Sequence, residues 1–222
     1  KMNKKLDWEP KAFLFDFEGT LVTFEWNLKE GIKATLKEIA SNGYSLQKLK
    51  KNPSYVDIHN FVSEIKEQNE KSTIFNNINN IFDQYDEDAL SRWTLSPGAK
   101  STIKNLKKKK FPVGLVTNVG LTAIQGAVIS LGLENLFDII ITRNDLSRLK
   151  PNPEGLIKAS STLKIDMESI LFVGDSFDDL GAAHSAGIKS CYIAGGQDIL
   201  AIDYPIKPLF TIDSLHDLIK YF

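Results

Sequence analysis

Four short polar motifs each follow a run of apolar residues, and their side chains are of types that can transfer a phosphoryl group. They contain, in chain order, Asp16 and Glu18, Thr117 and Asn118, Lys150, and Asp175 and Asp179. A carboxylate can attack phosphorus only where its own charge and that of the phosphate are neutralised, which requires a hard cation with oxygen ligands and a nearby ammonium group. The set of residue types therefore indicates phosphoryl transfer.

The residue types also suggest a division of roles. We expect Asp16 to be the nucleophile and, together with Asp175, to hold Mg²⁺, while Lys150 neutralises the phosphate. Glu18 lies two residues beyond Asp16, where a carboxyl group can protonate the leaving oxygen and later activate water. The nucleophile and the acid/base group are therefore predicted to share one loop.

The elements that must position these motifs are predicted from hydrophobic patterning. Short runs that are apolar throughout, as in parallel strands buried on both faces, lie at 12–15, 113–116, 137–141, 170–173 and 191–194, with a weaker sixth at 209–212. Stretches of helical length and spacing separate them at 98–110, 121–131, 153–163 and 178–186. This alternation predicts an α/β fold with a doubly wound, mainly parallel, Rossmann-like sheet.

In such a sheet, ligands bind beyond the carboxyl ends of the strands, so the four motifs are expected to converge at one edge. Thr117 would offer a hydroxyl group and Asn118 an amide to a bound phosphate there, beside exposed backbone N–H groups. The sequence thus predicts the position of the site as well as its chemistry.

The segment between the first two apolar runs has a different pattern. Isoleucine and other apolar residues recur there at helical spacing, at Ile32, Leu36 and Ile39, at Ile58, Val62 and Ile65, and at Ile74, Ile78, Ile81 and Phe82. We therefore expect a helical cap domain at 22–95, inserted into an α/β catalytic core formed by 1–21 and 96–222.

Taken together, the motifs resemble those of the haloacid dehalogenase-like hydrolases, specifically the phosphoglycolate-phosphatase-like branch with a helical cap. The matching segments are 15–21 for the nucleophile loop, 115–118 for the phosphate-binding Thr, 150–153 for the lysine motif and 174–179 for the metal-binding acids. The resemblance spans nearly the whole chain and implies an aspartyl-phosphate intermediate on Asp16.

The resemblance also implies a Mg²⁺ site that takes in Asp16, the backbone carbonyl of Glu18, Asp175 and Asp179. Asp179 matches the last position of the fourth motif, and the sequence leaves open whether it holds a metal-bound water or orients Lys150. The neighbouring Asp178 is expected to be a solvent-facing acid in the first turn of a helix.

One position departs from the family pattern, because the phosphatase branch usually has Asp where this chain has Glu18. Glu keeps the proton-transfer chemistry but reaches one methylene further, and a misplacement of about 1 Å can cost about 10²-fold in rate. A catalytically weak or lapsed member that acts as a phospho-dependent binding or regulatory protein therefore stays open as an alternative.

A second rival class stays open, with two features against it, and a third class is disfavoured. A phosphorylation-dependent receiver module also uses strand-end acids, a Thr and a Lys, but it needs neither a helical insertion nor an acid such as Glu18 for a leaving alcohol. A metal-free dehalogenase has no evident use for Asp175 or Glu18.

The composition limits which classes of binding partner and which cellular compartment we expect for this protein. The formal net charge of −1 over 222 residues gives no basic field for nucleic acid, and the lysine run at 107–110 is typical of a solvated helix end. The single Cys191 cannot form an internal disulfide. No stretch has the apolar length to cross a bilayer, and the lysine-rich start lacks the apolar core of a signal peptide. We expect a cytoplasmic protein, monomeric or homodimeric, whose partner is a small phosphorylated metabolite.

The sequence does not identify the physiological substrate. Phe24, Trp26 and the segment 55–59 are candidates for contact with the leaving group, although aromatic residues at helical spacing more often belong to a core. The three histidines, His59, His184 and His216, lack the spacing of metal ligands and are assigned no chemistry.

Overall fold

The computed structural model describes residues 7–25, 27–65 and 68–222, and six strands form one parallel sheet within them. The strands are β1 (Ala12–Phe15), β2 (Val113–Val116), β3 (Ile139–Ile141), β4 (Ile170–Gly174), β5 (Lys189–Ile193) and β6 (Phe210–Ile212). Their order across the sheet is β3-β2-β1-β4-β5-β6, and every neighbouring pair is parallel. The predicted doubly wound α/β fold is confirmed.

Helices cover both faces of this sheet and also form the insertion after β1. They are α1 (Leu28–Ser41), α2 (Tyr55–Ser63), α3 (Gln68–Leu90), α4 (Ala99–Lys108), α5 (Leu121–Ser130), α6 (Glu154–Leu163), α7 (Phe177–Ala186) and the short α8 (Leu215–Leu218). Residues of α4, α5 and α8 belong to the core on one face, and those of α6 and α7 to the core on the other. None of the helices in the described ranges has the length and apolar composition needed to span a membrane.

The central strand β1 is held rigidly because its side chains enter both cores. Phe13 and Phe15 pack into one core and Leu14 into the other, and all three are fully buried. The ring of Phe13 meets the edge of Phe111 at a centroid distance of 5.2 Å. Burial on both faces requires apolar residues throughout, which explains why the strand has no polar alternation.

The direction of winding reverses between β1 and β4, which are neighbours in the sheet although they are distant in sequence. Phe15 pairs with Val173, so Asp16 and Gly174 follow side by side at the carboxyl ends of the two strands. The backbone N–H of Asp16 donates to the carbonyl of Val173 at 2.9 Å. Ligands of open α/β sheets bind at such a reversal, so the register alone brings the first and fourth motifs together there.

The insertion between β1 and α4 is helical, as its periodicity predicts. Helices α1, α2 and α3 pack on one another, and α3 also packs against α5 of the core. The side chain of Leu90 lies so close to Gly126 that a Cβ there would be 2.8 Å from a Leu90 methyl group. The two connections to the core run side by side, with a bridge between Val22 and Leu95. The cap is therefore anchored to the core both by α3 and by its paired connections.

Candidate active site

A buried lysine lies between two acids at the reversal point of the sheet. The ammonium nitrogen of Lys150 is 2.5 Å from Oδ1 of Asp16 and 2.6 Å from Oδ1 of Asp179. Asp175, at the end of β4, completes a group of three buried carboxylates with one oxygen from each within 4.8 Å of the others. The structure thus brings the first, third and fourth motifs into contact.

This cluster carries more negative than positive charge, and the pKa values reflect it. Burial and the charge of Asp179 raise the pKa of Asp16 well above its usual range, although Lys150 opposes them. The same two causes raise the pKa of Asp175 to about 6. Burial lowers the pKa of Lys150, but the two adjacent carboxylates outweigh it and raise the value above that of a free lysine. An additional cation would relieve this excess of negative charge.

Asp175 is fixed by contacts on both oxygens. The hydroxyl of Thr20 donates to Oδ1 at 2.7 Å, and the backbone N–H of Gln197 donates to Oδ2 at 2.6 Å. Gly19, with φ +80°, and Gly196 both lie so close to this carboxylate that a Cβ at either position would overlap it. The sequence did not identify Gln197, because it contributes its backbone N–H group, which every residue except proline has, from a loop distant in sequence from Asp175.

Asp179 is held by its own helix start. Ser176 and Asp179 form a capping box at the N-terminus of α7, in which Oδ2 of Asp179 accepts from the Ser176 hydroxyl at 2.7 Å. The same oxygen accepts the backbone N–H groups of Asp175 and Ser176, each at 3.1 Å. Its other oxygen, Oδ1, therefore points at Lys150. The sequence left two roles open for Asp179, and this geometry favours the one in which it orients Lys150.

The expectation that Asp178 faces solvent is wrong. Its side chain is half-buried and lines the same cavity as Asp16 and Lys150. Burial, followed by repulsion from Asp179, raises its pKa to about 7. Phe24 and Tyr55 of the cap line the same cavity, so a first-turn acid that would be exposed on an uncovered sheet is partly covered here.

The loop after β2 carries Thr117 and Asn118. The Thr117 hydroxyl accepts the backbone N–H of Val119 at 3.1 Å, which leaves its proton for donation to a ligand. Asn118 uses its side chain on the backbone of Lys150: Oδ1 accepts the N–H at 3.1 Å, and the amide nitrogen donates to the carbonyl at 3.4 Å. Both residues line the cavity, and Asn118 in addition fixes the lysine loop.

Glu18 also lines the cavity, and its carboxylate is held by the two ends of the cap. Oε1 accepts the indole N–H of Trp93 at 2.7 Å and the backbone N–H of Glu25 at 3.4 Å. Burial raises the pKa of Glu18 to about 7, although the bond from Trp93 opposes the shift. A carboxyl group with a pKa near 7 can both donate and accept a proton at neutral pH.

Of the cap residues suggested by the sequence, Phe24 and Tyr55 line the cavity, and the Tyr55 hydroxyl is hydrogen-bonded to the Asn118 side chain. Trp26 lies outside the described residues.

His59 is buried in the cap against the ring of Phe75, and burial lowers its pKa to about 3. It is therefore a neutral residue of the cap core.

A buried arginine ties the cap to the loop after β2. The guanidinium group of Arg143 contacts Asp83 at 2.5 Å and Asp86 at 2.7 Å, both on α3. It also donates to the carbonyl of Asn118 at 3.1 Å, while Asp86 accepts the backbone N–H of Gly120 at 2.9 Å. This network was not predicted, because nothing in the sequence pairs an arginine after β3 with acids of the insertion.

Replacing Arg143 with Met is expected to destabilise the protein by about 3–5 kcal/mol, because it leaves the buried carboxylate of Asp86 without its counter-ion. Chemical denaturation measures the loss. The matched control is Arg148→Met, since Arg148 is exposed, and a change there is expected to stay within about 0.5 kcal/mol. Equal stability of the two variants would contradict the importance of the network.

The fold and site together define an α/β protein with an acid and lysine centre beneath a helical cap. The chain belongs to the haloacid dehalogenase-like hydrolase family, whose profile matches residues 13–193. The resemblance inferred from the four motifs is thereby confirmed, and the protein is a hydrolase.

Several characterised and solved proteins are similar over nearly the full length. The chain is 28% identical to proteins named pyrophosphatase PpaX from Bacillus cereus and Bacillus anthracis. The matched region covers 93% of this chain and 93% of each of those proteins. A structure described as a haloacid dehalogenase-like hydrolase from Bacteroides fragilis has 22% identity and a TM-score of 0.67, covering 95% of this chain and 100% of that one. CbbY from Rhodobacter sphaeroides, solved with phosphate, has 18% identity and a TM-score of 0.63, with 94% and 96% coverage. The two structures share the fold.

Proposed function

We propose that this hydrolase cleaves a small-molecule phosphate monoester through an aspartyl-phosphate intermediate on Asp16. The observation that carries the proposal is the contact of Asp16 with Lys150 inside a cluster of buried carboxylates, in a cavity that Glu18 also lines. The name pyrophosphatase on its relatives supports phosphate chemistry.

In the first half of the reaction, a carboxylate oxygen of Asp16 attacks phosphorus, and the bond from phosphorus to the ester oxygen breaks. Glu18, in its acid form, gives its proton to the departing oxygen. Lys150 offsets the charge of the phosphoryl oxygens, and the Thr117 hydroxyl donates a hydrogen bond to one of them. The products of this half are the free alcohol and a phosphorylated Asp16.

In the second half, Glu18 is a carboxylate and takes a proton from a water molecule, whose oxygen attacks the phosphorus of the aspartyl phosphate. The bond between phosphorus and Asp16 breaks, inorganic phosphate is released and Glu18 is protonated again. The pKa of about 7 suits both directions of transfer.

The donor set also fits a divalent cation. Three carboxylates with oxygens within 4.8 Å of one another face a single ammonium group, and oxygen donors are the ligands that Mg²⁺ prefers. We propose that Asp16, Asp175 and the backbone carbonyl of Glu18 hold Mg²⁺, with Asp179 completing the acidic set and orienting Lys150. Bound there, the ion would supply positive charge that offsets the charge of the phosphoryl group.

We also propose that the chain is organised as a core of 1–21 and 96–222 with a cap of 22–95. The mutual packing of α1, α2 and α3 and the pairing of the two connections support these boundaries.

The proposed function is tested by turnover of para-nitrophenyl phosphate with Mg²⁺, with excess chelator as the control. Metal-dependent turnover supports the proposal. A lapsed family member predicts little or no turnover, so a well-folded protein without activity would favour that alternative. The family match argues against the receiver module.

A second prediction concerns Glu18. Glu18→Gln is expected to lower steady-state hydrolysis by about 10²–10⁴-fold, because the amide can neither donate nor accept the proton. Formation of the aspartyl phosphate from a substrate with an activated leaving group should survive, so the intermediate should accumulate. Rapid quenching with radiolabelled substrate measures it.

The matched variant Glu18→Asp retains a carboxyl group and is expected to keep turnover. In the wild type, cleavage of an ester with a poor leaving group should decline above pH 7, since the acid form of Glu18 is lost there. Full turnover of such an ester by the Gln variant would remove Glu18 from the proposed role.

A further inference from the structure

Two aromatic and two acidic side chains line part of the cavity, and we refer to them as the wall. Phe24 and Tyr55 contribute it from the cap, and Glu18 and Asp178 from the core. The leaving group of a substrate attacked by Asp16 has to lie against this wall, since Glu18 must reach the departing oxygen.

Positive charge is scarce around this space. Among the described residues, Lys150 is the sole cationic side chain that lines the cavity, and its ammonium group already contacts Asp16 and Asp179. Two cap cations that do not line the cavity are paired outside it: Arg92 contacts Asp88 at 2.7 Å and the exposed Lys50 contacts Asp57 at 2.8 Å. They act on the wall acids only at a distance, Arg92 on Glu18 and Lys50 on Asp178. A leaving group with its own negative charge would find no counter-ion from these residues.

Space is also limited. The cavity measures about 30 Å³ with the cap in this position, which is room for about one or two water molecules. A bulky leaving group therefore has little room in this cavity. The wall therefore disfavours bulk as well as charge.

Resting on the function proposed above, we infer that the preferred substrate is the phosphate monoester of a small, uncharged alcohol, and that pyrophosphate and esters with an anionic leaving group are disfavoured. Negative charge placed in this part of the cavity is repelled by the Asp178 carboxylate, and juxtaposed like charges are a strong means of rejecting a ligand. This preference would separate the chain from its relatives that are named pyrophosphatase.

The test compares 2-phosphoglycolate with its isosteric amide, 2-phosphoglycolamide, so that the two substrates differ by one charge and hardly in size. At pH 8 with Mg²⁺, we expect kcat/KM for the amide to exceed that for the carboxylate by at least about tenfold. Pyrophosphate is expected to be cleaved no better than the carboxylate. A ratio of one or below, or pyrophosphate as the best of the three substrates, overturns the inference.

A charge-neutralising variant isolates the contribution of the wall. Asp178→Asn is expected to reduce the amide-to-carboxylate ratio at least about threefold, whereas Asp166→Asn, at an exposed position outside the cavity, should leave the ratio unchanged. Equal effects of the two variants overturn the inference. Failure of the wild type to cleave any of these substrates or para-nitrophenyl phosphate would overturn the proposed function itself, so the two outcomes are distinguishable.

Discussion

Replacing Asp16 with Asn is expected to reduce hydrolysis by at least about 10⁴-fold while the sheet stays folded. The amide is nearly the same size, so β1 and its register with β4 are undisturbed, but it lacks the charge needed to attack phosphorus and to bind a cation. Steady-state turnover of para-nitrophenyl phosphate measures the loss.

The same substitution is expected to raise the melting temperature of the metal-free protein at neutral pH. Burial and Asp179 hold the pKa of Asp16 well above its usual range, so its ionised form is unfavourable in the folded state. Lys150 keeps Asp179 as a partner at 2.6 Å. Asp166→Asn, at an exposed position, serves as the control and should change neither property. A variant with near wild-type turnover would refute Asp16 as the nucleophile.

Chelation of divalent metal is expected to abolish turnover, and Mg²⁺ is expected to stabilise the protein more strongly at pH 8 than at pH 5. A carboxyl group whose pKa is raised on folding contributes stability that is complete below its ordinary pKa and is lost as the pH rises through the folded value. For Asp175 this stability is lost as the pH rises from about 4 to about 6, and for Glu18 the loss continues to about pH 7. The metal-free protein should therefore melt at progressively lower temperature between pH 4 and pH 7.

A bound cation offsets this repulsion where the acids are ionised. At a Mg²⁺ concentration about 100 times its dissociation constant, linkage gives about 2.7 kcal/mol, or a rise of about 5–10 °C for a chain of this size. Scanning calorimetry with Mg²⁺ or with chelator, at both pH values, measures it. Asp175→Asn should remove most of the metal-dependent rise. An equal rise at both pH values, or turnover that persists in excess chelator, would contradict the proposed metal site.

The elements that carry the site could be predicted from the sequence because their physics is local. Strands β1 and β2 match the apolar runs residue by residue, since a strand buried on both faces must be apolar from end to end. Strand β5 begins earlier than expected, at Lys189, whose ammonium group lies over the ring of Trp8, 4.6 Å from its centroid. A charged residue at a strand end can place its head group outside the core, which periodicity alone does not indicate.

The contacts that depend on two distant segments could not be predicted in the same way. The capping box of Ser176 and Asp179 has a short-range sequence signature. The pairing of Arg143 with Asp83 and Asp86 has none, because it forms only when the folded chain brings α3 next to Arg143. The position of Asp178 was mistaken for a related reason. Its exposure depends on cap residues that line the same cavity, Phe24 and Tyr55, and their approach to a helix so distant in sequence has no local signature.

The two hydrogen bonds to Glu18 have a consequence for how enzymes of this kind diversify. The donors are Trp93, on the segment that returns from the cap, and Glu25, on the segment that leads into it. A change in either connection therefore also changes a group that lowers the proton affinity of Glu18 against the effect of burial, which is the larger cause. Substitutions made in these connections to alter substrate preference are therefore expected to shift the working pH as well.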